Sequence, residues 1–223
     1  MRNEQNVVKI MKYLKLLSIL ALLPILSCSD YDRPADYFPL KLNNTWLYTG
    51  TISKIQVTEE SKHNNQTEYI LSYYDSTGIP VWQEKHIRKD KKIFWESFVP
   101  QVPFIPAITF NPPLPAAAFS DKLGDKKTVE SVETRSDSAN TTANIVVDYE
   151  IVSIENVELP SGFFPECIKV RVTISYPDPV AQPYLAGTSY YWFARGVGPV
   201  SYILPSGQGG LMNAKIGNKK FPS

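Results

Sequence analysis

Few side chains in this 223-residue sequence stand where they could do chemistry. Cys167 opens a run that alternates strictly through Ser175, on the face shared with Lys169 and Arg171. Cationic neighbours lower a thiol pKa, which is the setting of a reactive cysteine. Against that, no resolving cysteine or histidine partner is evident, and a lone cysteine in a strand more often serves as a small hydrophobe. Asp148 and Glu150 share one face of a strand, a spacing that lets two carboxyl groups act as acid and base, yet it also fits a solvated surface. The two histidines, His63 in a polar turn and His86 in a charged hairpin, lack a second ligand at useful spacing, so no metal site is expected and both read as surface residues. No G-x-S-x-G elbow is present, and Ser161-Gly162 and Ser206-Gly207 lack a strand–turn–helix context. Gly207-Gln208-Gly209-Gly210 has the glycine content of a phosphate-binding loop but no helix after it. The expectation is a chain with no catalytic residue, no metal and no cofactor.

The N-terminus is more informative. Lys12 and Lys15 precede an uncharged apolar run from Leu16 to Leu26, broken only by Ser18 and Pro24. That run is shorter than the roughly 20 residues needed to span a bilayer and has the length of a signal-peptide core. Met11 sits directly before the basic residues and reads as the true start. The run ends Ile25-Leu26-Ser27-Cys28, which resembles the bacterial lipobox. The resemblance implies cleavage before Cys28 and acylation of its thiol, and Ser29 in place of aspartate favours the outer membrane of a Gram-negative host. Two or more acyl chains anchor stably where one does not. The division expected is a signal peptide over 1–27, a lipidated N-terminus and tether over 28–38, a β-domain over 39–205 and a polar tail over 206–223. The mature chain carries a net charge of about −2, counted from its Lys, Arg, Asp and Glu residues, which offers nothing to nucleic acid. With Cys28 lipidated, Cys167 has no partner for an intramolecular disulfide.

The elements that must position any site are strands. β-branched and aromatic residues gather in short runs between turn residues from Thr45 onward. The clearest are Thr128 to Thr134, Ile145 to Ile154, Cys167 to Ser175, Thr188 to Arg195, and Val81 to Ile87 paired with Ile93 to Val99. Tyr190 and Trp192 lie on one face of their strand and Tyr191 and Phe193 on the other, which predicts a central strand covered on both sides. No stretch after Cys28 has a helical period. The fold class expected is all-β, a single antiparallel, strongly curved sheet or half-barrel of about eight or more strands, with helix only in the signal segment. Pro100 to Phe119 holds six prolines among large apolar residues. It predicts a long apolar loop rather than a central strand, since proline cannot donate to a ladder. Such loops tend to be lids, binding loops or packed surface loops, here an extended arm closing one end of the core or else a ligand-gating or partner-binding arm.

Three motifs carry a family resemblance. Tyr37-Phe38-Pro39-Leu40-Lys41-Leu42-Asn43-Asn44-Thr45-Trp46-Leu47-Tyr48 is similar to the opening "YFPL-x-x-GN-x-W-x-Y" of uncharacterised bacterial lipoproteins of the TapB-like type. Val157 to Val170 is similar to their "V-x-x-P-A-G-x-F-x-x-C-x-K-V", and Tyr191 to Val200 to "YW-x-A-x-GVG-x-V". Asn43 and Ser161 depart from the commoner glycine and alanine. The resemblance implies a curved antiparallel sheet and brings no catalytic residue. Its motifs read as fold determinants, with Trp46 and Trp192 as core anchors and Gly162, Gly196 and Gly198 as turn glycines. The resulting expectation is a non-enzymatic, lipid-anchored envelope protein that binds an apolar ligand or a protein partner. Phe104, Ile105, Ile108, Phe110, Tyr191 and Phe193 would lie at the opening. The other readings are a structural subunit of an outer-membrane or cell-surface assembly, and a hydrolase or thiol enzyme.

Overall fold

Alternation of inward apolar and outward polar residues shapes most of the thirteen strands of the computed structural model, which describes residues 37–102, 105–117, 119–137, 139–180 and 182–221. The strands are β1 Thr45–Tyr48, β2 Lys54–His63, β3 Gln66–Tyr74, β4 Pro80–Lys89, β5 Lys92–Pro100, β6 Ile108–Pro115 and β7 Lys126–Arg135. They continue with β8 Thr142–Leu159, β9 Gly162–Ser175, β10 Gly187–Ala194, β11 Gly198–Leu204, β12 Gly207–Ile216 and β13 Lys219–Phe221. Each pairs antiparallel with the next in sequence, and β1 also pairs with β12 from Thr45↔Lys215 to Tyr48↔Leu211. The fold is therefore all-β, with no α-helix among the described residues. It is a closed barrel of twelve strands, with β13 pairing alongside, and not the open sheet or half-barrel of about eight strands that the sequence predicts.

The shortfall has a physical cause. Gly207 to Ile216 is the strand β12 that closes the barrel, although its glycines give it the composition of a tail. A Cβ on Gly209 would overlap the Thr49 carbonyl and the Tyr202 ring, and one on Gly50 would overlap the Gln208 carbonyl. Glycine in β12 is what lets neighbouring backbone and rings come this close.

The proline segment is corrected in the same way. Ile108–Pro115 is a strand, β6, lying between β5 and β7. Its ladder to β5 uses Ile108, Thr109, Leu114 and Pro115 and passes over the residues between, while its ladder to β7 stops at Asn111. Pro112 and Pro113 thus occupy a wide bulge where no donor is needed.

Because every step is a hairpin, the connections alternate between two ends of the barrel. The segment Tyr37–Asn44 lies at what we term the entry end, together with the β2–β3, β4–β5, β6–β7, β8–β9, β10–β11 and β12–β13 connections. The far end carries the other six. Phe38 and Leu40 plug the entry end: both are buried, and Phe38 packs its ring against Trp46, His86 and Phe193. Trp46, fully buried, donates to the Val197 carbonyl at 2.6 Å, and Gly198 at φ 106° leaves the room its indole fills. The tip of the long β8–β9 hairpin turns onto β12, where Leu159 meets Gly210 and the Ser161 hydroxyl donates to the Leu211 carbonyl. In this way the three sequence motifs meet at one closure.

Charged rows cross the outer wall. Lys85 sits between Glu68 at 3.2 Å and Glu96 at 2.8 Å, and Glu150 between Lys126 and Arg171. A wall that faced lipid would carry an apolar band instead. This wall faces water.

Candidate binding site at the far mouth

Strands β3 to β6 line one side of the interior. Tyr73, Trp82, Phe98, Trp95 and Phe110 form a continuous run of rings across these four strands, with centroids 4.7, 6.0, 6.5 and 4.7 Å apart in that order. The Tyr73–Trp82 pair is stacked and the others are tilted or edge-on, geometries that add to the area they bury. Trp82 pairs with Pro100 and Tyr74 with Pro80, so this run begins at the far mouth. Trp82, Trp95 and Phe98 are only partly buried.

Period-two geometry puts Glu84 and His86 on the same inward face as Trp82. Glu84 accepts from the Tyr73 hydroxyl at 2.7 Å and from Trp82 Nε1 at 3.2 Å, and lies 2.9 Å from His86 Nε2. Each bond to an ionised carboxylate is worth about 1.5–3 kcal/mol net, which is how the charge is carried inside the barrel. Burial, then the Glu84 charge, pushes the Tyr73 hydroxyl well above its usual range. Across the lumen, burial and Glu84 raise Tyr191 likewise. His86 is 3% exposed, so the surface position expected for it is wrong. Plain alternation along β4 leaves Lys85 outside and the imidazole inside, the extra residue of the bulge at this point being Glu96 on β5. His63 is exposed in its turn, as its polar neighbours imply.

A second inward polar group lies on β7. Glu133 is 0% exposed and takes the Arg135 guanidinium at 2.5 Å and the Tyr176 hydroxyl at 2.5 Å. Arg135 also donates to the Gln182 carbonyl at 2.7 Å and lies 4.9 Å from the Tyr184 ring. This pair ties the β9–β10 connection to the far mouth, and removing one partner of such a buried pair costs about 3–5 kcal/mol. Sequence reasoning missed it. The available signal was the inward row Val129, Ser131, Glu133, Arg135, whose polarity disguised it as an outer face.

The residues expected at the opening are distributed as follows. Ile105 is exposed on the rim, and Ile108 and Phe110 are buried just beneath it. Tyr191 faces the mouth cluster from β10. Phe193 instead belongs to the plug, 6.4 Å from Phe38. Phe104 and Cys28 lie outside the described residues. Trp192 is not a core anchor: its indole lies on the outer wall, under Lys169 at 4.4 Å and donating to Glu155 at 2.6 Å. β10 is thus covered outside by a lysine stem rather than a second layer.

The remaining candidates for chemistry fare as follows. Cys167 is 0% exposed, and burial pushes its thiol up to about 12. Its sulfur contacts the Phe164 carbonyl at 3.4 Å and does not share the Lys169 face. Asp148 accepts from the Thr128 hydroxyl at 2.5 Å while Glu150 is held by its two cations, in a shallow outer groove of about 270 Å³. Among the described residues no cluster of His, Cys, Asp and Glu could hold a metal ion.

These features define a water-facing, closed antiparallel barrel, plugged at one end and lined with rings at the other. A candidate lipoprotein from Parabacteroides distasonis shares this fold at TM-score 0.50 and 18% identity, over 80% of this chain and 98% of that one. A candidate exported protein from Bacteroides fragilis with a YmcC-like fold aligns at TM-score 0.49 and 16% identity, over 78% and 96%. No family model and no curated protein matches the sequence.

Proposed function

We propose that this protein is a lipid-anchored envelope protein, acylated on Cys28, whose barrel is a non-catalytic module that receives a protein partner on its far end. One observation carries the partner reading. Ile79, Val99, Val102, Ile105 and Tyr184, all exposed, gather on the far-end connections or beside them, with Ile79 60% and Val102 44% exposed. The same six connections contain no lysine or arginine. Exposed apolar side chains also stand elsewhere, Leu42, Leu123 and Phe163 at the entry end among them, but on the far rim they coincide with connections free of cations. Such a rim is a feature of interaction surfaces, and aromatic anchors such as Trp82 and Phe98 below it suit an interface core. The lipobox and the outer-membrane preference of Ser29 support the envelope location, and the shared fold of a candidate lipoprotein is in keeping with it. The deep burial of Cys167, the engagement of Asp148 by Thr128 and the pairing of Glu150 with two cations support the absence of catalysis.

Photo-crosslinking in native membranes tests the reading. A crosslinkable residue at Val102 or Ile105 is expected to give a protein adduct that one at Val132, on the outer wall, does not give. Ile79→Asp is expected to abolish that adduct. Adducts of lipid mass alone, or identical products at all three positions, would sink the proposal.

A further inference from the structure

The two ends of the barrel differ in charge. Lys41, Lys62, Lys91, Lys92, Lys219 and Lys220 are all exposed on entry-end connections or the strand ends beside them. They are contiguous around the barrel, because the β12–β13, β2–β3 and β4–β5 turns flank the entering segment on neighbouring strands. Acids within the arc are fewer. Glu59 and Asp90 are exposed there, and Glu60 is committed to the Leu42 amide at 2.9 Å. The acidic Glu155, Glu158 and Glu166 belong to the β8–β9 hairpin on the other side of the rim. The far end, by contrast, carries Asp75, Asp137 and Asp178 and no cation in its connections, and the two cations at its strand ends are taken up, Lys54 over the Tyr74 ring and Arg135 by Glu133.

The entry end is also where the tether arrives. From Ser29 to Asp36 there are eight residues, which at about 3.3–3.6 Å each span at most about 30 Å. A chain acylated at Cys28 therefore keeps this end within reach of headgroups. Basic side chains beside an anionic leaflet are attracted within a Debye length of about 8–10 Å.

We infer that the lysine arc of the entry end docks on anionic lipid headgroups, so that the barrel stands on the membrane with its far rim turned outward. The inference rests on Cys28 acylation for its geometry but not for its charge. The lipid sets the distance, and the arc sets which face lies down. Salt and the anionic lipid fraction then control how long the barrel stays upright.

The test uses the acylated protein in vesicles of phosphatidylcholine, with or without phosphatidylglycerol. A fluorophore is placed through Asn65→Cys at the entry end or Ser76→Cys at the far end, and a quencher is carried on the headgroups. Quenching at position 65 is expected to rise several-fold with phosphatidylglycerol and to fall back in 0.5 M salt, while position 76 stays dark to the quencher. Lys62→Glu, Lys91→Glu and Lys92→Glu together should remove the effect. Circular dichroism should be unchanged, since these side chains are exposed. Equal quenching in both lipids, or quenching at position 76, overturns the inference. Intact mass and flotation on pure phosphatidylcholine report acylation separately, so loss of the anchor and loss of the docking face are told apart.

Discussion

Glu166 decides what kind of residue Cys167 is. It takes a positive φ of 49°, and the β8–β9 register slips between Glu155 and Val157. Both Cys167 and Ile168 consequently point inward, and the alternation that the sequence shows from Cys167 to Ser175 changes phase at its first residue. Strict period two put the thiol among lysines; one bulge put it in the core. No side chain in the segment signals a non-glycine residue in that conformation, so this was not legible in sequence. With its thiol pushed up to about 12, Cys167 is expected to resist labelling. In a protein acylated at Cys28 as proposed, Ellman's reagent should titrate no thiol in the native state and one after denaturation. Prompt native labelling would restore the reactive-cysteine reading. Glu84 and His86 teach the complementary lesson, since alternation with Trp82 did place them inward and only the neighbouring charges of Lys85 and Arg88 suggested otherwise.

Among the elements, the strands rich in β-branched residues were readable and those rich in glycine or proline were not. β8 and β9 follow the pattern of Ile145, Val147, Tyr149 and Ile151 facing Ile168, Val170 and Val172. β12 and β6 break it because their composition serves backbone approach and bulge geometry rather than ladder propensity. That distinction can be measured at Gly209. Its substitution by alanine should overlap Thr49 and Tyr202 and force β12 away from its neighbours. The expected cost is about 3 kcal/mol, the upper end of what overpacked core positions lose, read as a lower midpoint in urea. Gly217→Ala is the control: a Cβ there meets nothing, so only the strain of its φ of 60° remains, about 1–2 kcal/mol. Equal losses at the two sites would show that crowding between strands is not the issue.

At the scale of the molecule, the interior is a tyrosine core. Tyr48, Tyr73, Tyr149 and Tyr191 are all raised, in each case first by burial. A raised acid is protonated in the folded state when the unfolded chain has already released its proton, so the stability it confers is complete below about pH 10 and declines above it. Each such tyrosine steepens the loss by up to about 1.4 kcal/mol per pH unit. The share of tyrosinate absorbance that comes from these buried rings should therefore appear only together with the change in circular dichroism, in one cooperative step above pH 10. Complete tyrosinate formation before any loss of circular dichroism would contradict the closed core. That four tyrosines rather than leucines fill this space was visible in composition but not in meaning, because only closure turns the alternating faces into an interior.

The pairing of β1 with β12 also bears on how the chain reaches this state. Every other contact between neighbouring strands joins segments adjacent in sequence, which fold quickly because little loop must be closed. The last seam joins Thr45 to Lys215, across nearly the whole domain. Until β12 has been made, β1 and the newest strand are both bare edges, each a template for another chain. Synthesis from the N-terminus thus yields a growing ribbon that cannot seal itself until its final stretch emerges. A truncation before Gly207 would leave that ribbon permanently open and prone to join a second one edge to edge. If the chain is exported as proposed, sealing that comes last keeps the polypeptide threadable for as long as translocation requires.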